Sequence, residues 1–172
     1  MSDQNGGGKR YYGKYRGTVV SNVDPQLQGR ITATVPDVLG PVPSSWATPC
    51  LPLTGIQSGA FMLPPPGTAV WMEFEGGDPN YPIWSGCYWG AGDVPALALA
   101  GAPVAPNIML QTVTQNSLLI SGNPATGIML QLASKAGIVI SEAGIVIQNG
   151  KGASISLVGP TVSINPPALV VT

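Results

Sequence analysis

The chain of 172 residues contains no histidine. That removes together the commonest general base, the commonest metal ligand and the one side chain whose charge ordinarily changes near neutral pH. Cysteine is nearly as scarce. Cys50 and Cys87 stand in unlike contexts without CxxC spacing, so neither a zinc site nor a thiol-redox site is indicated. Two semi-buried thiols are the simpler expectation, and a disulfide between them the less favoured one. Charge is thin and uneven: of fifteen Asp, Glu, Lys and Arg residues only Lys135, Glu142 and Lys151 lie beyond Asp93, and the net charge is -1. A segment of that size without a charged solvent face is expected to be buried against something. Long apolar runs are missing too. The most apolar low-charge stretch, VPALALAGAPVAP at residues 94–106, contains three prolines and falls short of the roughly 20 residues a membrane span needs, so it is a connection and not an anchor. The opening MSDQNGGGKR has no apolar core, so no secretory signal is expected and the chain should be made in the cytoplasm.

What is present divides the chain. Residues 1–14 form an arm loosened by Gly6, Gly7 and Gly8. Residues 15–92 alternate short runs rich in Val, Thr, Ile and Trp with turn signals about every ten residues, the rhythm of a small barrel or sandwich. The candidate strands are YRGTVVSNV, GRITATVP, WATPCLP, TAVWMEFEG and PIWSGCYWG. Between them, Asp24-Pro25, the stretch from Pro41 to Ser45, Pro64-Pro65-Pro66-Gly67 and Gly76-Gly77-Asp78-Pro79 set or free φ for turns and argue against helices. Alternation within TAVWMEF puts Val70, Met72 and Phe74 on one face, the expected core side. Residues 93–107 are an Ala/Pro linker.

Residues 108–172 repeat a four-residue unit eight times: IMLQ, LLIS, IMLQ, IVIS, IVIQ, ISLV, VSIN and LVVT, with starts 10, 10, 10, 7, 10, 7 and 7 residues apart. Each unit has an aliphatic residue first and third, and side chains two apart in a strand point the same way. The sixteen positions are Ile108, Leu110, Leu118, Ile120, Ile128, Leu130, Ile138, Ile140, Ile145, Ile147, Ile155, Leu157, Val162, Ile164, Leu169 and Val171. Gly127, Gly137 and Gly144 precede three units, where a sharp turn favours a residue without Cβ. So short a period indicates stacked β-rungs. A single winding has nothing opposite its inward side chains, and its apolar gain is too small to offset the backbone entropy of ordering the segment. Three chains wound together remove both problems, with edges paired between chains. A flat solenoid made by one chain, or an aggregating segment, are the alternatives.

The succession GTVVSNVDPQLQGRITATVPD, SSWATPCLP and GAFMLPPPGTAVWMEFEGGDPNYPIWSG resembles the oligonucleotide/oligosaccharide-binding (OB) barrel of the phage baseplate assembly protein V family. That barrel is shared with contractile-injection spikes and with the valine-glycine repeat proteins of type VI secretion. The matching features are Asp24-Pro25 with Gly29-Arg30, Trp46 opening a strand, Pro66-Gly67, and Phe74-Glu75-x-Gly77-Asp78-Pro79 followed by Pro82-Ile83 and Gly86. The resemblance implies an all-β homotrimer: an OB barrel under a ring-shaped hub, continued by an intertwined triple-stranded β-helix that forms a needle. It implies a non-catalytic, membrane-puncturing central spike of a phage tail or tail-like injector. Its partners would be a trimeric hub, a tip protein of the proline-alanine-alanine-arginine (PAAR) repeat type at the uncapped last rung, and transiently a target envelope. Two features depart from relatives: regular valine-glycine octads are absent, and no lysozyme domain separates barrel from needle. A histidine-bound metal at the tip, found in some relatives, has no ligand here, and no cofactor is expected.

Two other functions have residues to recommend them. Lys9, Arg10, Lys14 and Arg16 interleave with Tyr11, Tyr12 and Tyr15, and Trp71, Trp84 and Trp89 follow. Such a set could grip single-stranded nucleic acid or a sugar, although no cation occurs between Arg30 and Lys135. Asp78 with Glu73 or Glu75 could be the paired carboxylates of a glycan hydrolase, but Asp78 in Gly-Gly-Asp-Pro reads better as a turn residue.

Overall fold

The computed structural model describes residues 8–166 and 168–171, the side chains of residues 170 and 171 excepted. The chain forms two compact units that meet at Gly92 and Asp93.

The first unit is built from β1 (Tyr15–Ser21), β2 (Thr32–Thr34), α1 (Pro36–Leu39), β3 (Thr48–Pro49), the small hairpin β4 (Thr54–Gly55) and β5 (Ser58–Gly59), β6 (Ala69–Phe74) and β7 (Pro82–Cys87). Five of these strands make one sheet in the order β2-β1-β6-β7-β3, antiparallel except for β3 with β7. The sheet curls toward closure: Ala47, just before β3, exchanges both backbone hydrogen bonds with Ile31, just before β2. Curling puts one face of every strand inside. β6 shows this most plainly, with Val70 and Met72 fully buried and Phe74 nearly so, while Ala69, Trp71 and Glu73 are half-buried on the outer face. Val19, Ile31, Ala33, Val35, Ala47 and Trp84 complete the core. Each large apolar side chain among them contributes about 1.5–3 kcal/mol by leaving water. The break after β2 is not wholly irregular. Residues 36–39 make one helical turn, because Pro36 at its first position has φ already set for a helix and no N–H to lose.

The second unit is an antiparallel meander of eight strands in chain order: β8 (Ile108–Gln111), β9 (Ser117–Ile120), β10 (Ile128–Gln131), β11 (Ala136–Ser141), β12 (Gly144–Asn149), β13 (Ser154–Val158), β14 (Thr161–Ile164) and β15 (Leu169–Val171). Consecutive strands pair with each other within the chain, so every inner strand has both edges filled, and the pairing expected between copies is satisfied inside one. What other copies can supply is cover for the faces. The Ala/Pro segment before β8 is folded onto the sheet. It contains a single helical turn, α2 (Ala96–Leu99), and the Asn107 side chain donates to the Leu97 carbonyl and accepts from the Ser121 hydroxyl. Leu97, Ala100, Leu119 and Met129 line a cavity of about 480 Å³ beneath it.

Candidate trimer interface

The cross-strand register turns the eight units into two continuous ladders. Ile108, Ile120, Ile128, Ile140, Ile145, Leu157, Val162 and Val171 stand opposite one another from strand to strand. Leu110, Leu118, Leu130, Ile138, Ile147, Ile155, Ile164 and Leu169 form the second ladder beside it. Both lie on one face because first and third residues of a strand project the same way. Within one chain that face is open. Fourteen of the sixteen side chains are exposed, from 36% at Leu118 to 66% at Ile108, and Ile145 is half-buried; the Val171 side chain lies outside the described residues. The opposite face carries Met109, Leu119, Met129, Val139, Val146, Ser156 and Ser163 in register, apolar over five strands and hydroxylic on β13 and β14. Those residues are more covered than the ladders: Leu119 is buried and the rest half-buried.

Loops at the strand ends are fixed by short polar side chains and glycines. Asn149 Oδ1 accepts from Lys151 N and Ala153 N, Asn165 Oδ1 from Ser154 N, and Asn116 Oδ1 from Ala133 N of the neighbouring turn. Gly127 and Gly144 have φ of +63° and +143°, and a Cβ on either would fall on a carbonyl of the adjacent strand, Ile140 and Leu157 respectively. Gly137 differs. Its φ is ordinary, and it is required because a Cβ would strike the Leu130 carbonyl.

In the barrel, the predicted turn residues do structural work. Asp24 is buried and accepts from the backbone N–H of Gln26, Gln28 and Arg30, while Arg30 Nη2 reaches Oδ1 at 2.6 Å. The Arg30 guanidinium, with those N–H groups, holds the Asp24 carboxyl far below the usual carboxylate range against the opposing effect of burial, and Asp24 in turn raises Arg30. Arg30 also lies over the Trp46 ring at 5.5 Å, and Trp84 Nε1 donates to the Gly29 carbonyl at 3.1 Å. The Gly29 backbone is left-handed, φ +74°. Pro66-Gly67 forms the turn that returns the chain to β1, with Gly67 N donating to the Val19 carbonyl. Asp78 Oδ1 accepts from the backbone and side-chain nitrogens of Asn80, and Gly77 receives Tyr11 N on its carbonyl. Pro79 follows in the same turn and borders a small surface hollow with Arg10 and Asn80.

The residues of the two rival functions are occupied otherwise. Arg10 pairs with Asp78 at 3.3 Å, Lys14 with Glu73 at 3.3 Å, and Arg16 lies over both Trp71 and Tyr88. Trp84 is core and Trp89 is exposed, so the three tryptophans form no common stacking platform. Asp78 and Glu73 each face a cation and not one another. Cys50 and Cys87 are both free and both exposed, where semi-buried thiols were expected, because the strand ends that carry them lie outside the curled core.

Two family models match the chain. The type VI secretion system/phage-baseplate injector OB domain covers residues 15–89, and the phage baseplate V C-terminal trimerisation domain covers residues 107–170. The chain belongs to the phage baseplate V family. Its barrel is that family's OB domain, and its meander is the domain through which three copies associate. No curated protein matches the chain. The most heavily bonded polar residue of the barrel, Asp24, figured in the sequence as part of a turn signal and of the family motif, not as a buried charge. The signal that marks it is an Asp followed within six residues by an arginine and by the left-handed Leu27 and Gly29.

Proposed function

We propose that the chain is the central spike of a contractile phage tail or tail-like injector, a mechanical part that breaches the target envelope without catalysis. The baseplate V family supplies the structural setting. The observation that carries the rest is the pair of unbroken aliphatic ladders left open on one face of a nearly uncharged sheet. In this reading the sixteen ladder residues of three copies meet on a common axis and make a stiff needle from residues 108–172. Residues 15–92 form the collar, 93–107 the connection and 1–14 the arm. The turn residues Gly29, Arg30, Pro66, Gly67, Gly77, Asp78 and Pro79 shape the collar and have no reactive role. A trimeric hub would seat the barrels, and a PAAR-type tip would cover the last rung.

Resistance to bending comes from the geometry. Each inner strand is hydrogen-bonded on both sides within its own chain, and closing the apolar faces adds side-chain packing at the density of a protein interior. Baseplates assembled around a chain carrying Ile138→Glu and Ile147→Glu should contract without admitting a membrane-impermeant dye to target cells. Normal assembly with undiminished dye entry would contradict the piercing role.

A further inference from the structure

Beyond Asp93 the chain carries three charged residues, Lys135, Glu142 and Lys151, and the meander sets them in three successive turns of the stack. Lys135 lies in the turn between β10 and β11, Glu142 in that between β11 and β12, and Lys151 in that between β12 and β13. Hairpin turns of an antiparallel meander alternate between the two ends of its strands. Both lysines therefore stand at one end of β11 and β12, and the glutamate at the other. The two lysine turns touch, since a Cβ on Gly150 would fall on the Ser134 carbonyl oxygen. All three side chains are exposed, and among the described residues none forms an ion pair within the chain. Nor can they pair with each other. The six-residue strands β11 and β12 hold the opposite charges roughly 20 Å apart at ~3.4 Å per residue, well beyond the ~8 Å over which charges interact at physiological salt.

We propose that these residues are an electrostatic register device between copies, with Glu142 of one chain facing Lys135 and Lys151 of a second copy at each corner of the trimer. The inference rests on the reading above that the ladder faces of three copies turn inward. Three identical sheets closed about a threefold axis meet at their strand ends, and rotational symmetry makes every corner the junction of a lysine end with a glutamate end. Charge complementarity thus follows from the chain's own polarity. The occupant of the lysine-bearing edge is another copy of this chain, running the same way and at the same height.

The need for such a device is visible in the ladders. All sixteen positions are Ile, Leu or Val, so a copy displaced along the stack by two strands, ~10 Å, still meets aliphatic side chains with aliphatic side chains. Uniform apolar faces specify register weakly. In register Glu142 stands one strand from each lysine turn; the same slip leaves it beside one lysine with the other ~14 Å away, and a slip of four strands leaves it beside neither. Isolated charges flanking an apolar seam set partner and register in coiled coils by the same logic.

The test compares the melting of full-length trimers of the wild type, Glu142→Lys, the pair Lys135→Glu with Lys151→Glu, and the triple exchange, in about 20 mM and about 1 M salt. Glu142→Lys and the lysine pair should each melt a few degrees below wild type at low salt, and the difference should vanish at high salt. The triple exchange restores opposite charges at every corner and should melt within about a degree of wild type in both. Single-edge variants melting with wild type at low salt, or a triple exchange no better than they are, would overturn the proposal while leaving the trimer intact. A wild-type chain that does not trimerise would remove the inward-facing ladders on which it depends.

Discussion

The behaviour of Asp24 shows how much a barrel of this size can hang on one carboxylate. Its oxygens receive three backbone N–H groups and the Arg30 guanidinium, so the loop between β1 and β2 is organised around a charge that water barely reaches. A carboxyl whose folded value lies below its unfolded value of ~3.9 stabilises the fold fully above that value. The contribution is then lost as pH falls through the folded value. Asp24→Asn should therefore lower the urea midpoint of the barrel at pH 7, and the gap to wild type should narrow below about pH 4. An equal gap at pH 7 and pH 3 would contradict the assigned charge. At Gly144 the demand is steric. With φ at +143° and the Leu157 carbonyl in the place of a Cβ, Gly144→Ala should cost about 1–3 kcal/mol per chain, read as an earlier thermal transition of the needle with the barrel transition unmoved.

At the scale of the elements, the period of the second unit was plain in the sequence because each strand repeats one pattern, aliphatic at two positions two apart, and strand geometry puts both on one face. The core face of β6 was equally plain from alternation, since Val70, Met72 and Phe74 can share a face only in an extended strand. Other features depended on distant parts of the chain. Pairing of consecutive strands inside one copy is a matter of loop length and direction, to which the side-chain pattern is indifferent. The helical turn at Pro36 was hidden by the same proline that breaks longer helices. The placement of Trp84 over the Gly29 carbonyl joins residues far apart in sequence, and the five-donor role of Asp24 appears only once its loop has closed. The requirement for Gly137 was legible, but its reason was not: it lies in the approach of β10 and not in a turn.

For the whole molecule, two unlike units divide the work. The barrel has its own buried core and a mixed surface with most of the charge. The second unit leaves its aliphatic ladder face uncovered within one chain, an arrangement stable in water only when something closes over it. Association through residues 108–172 should therefore decide the assembly state of the full chain, and the barrel alone should remain single. The most direct measurement is solution mass by light scattering on the full chain beside a version ending at Gly92. The account predicts three times 17.6 kDa for the full chain and one copy for the shortened one. A monodisperse full-length chain with the mass of a single copy would contradict it.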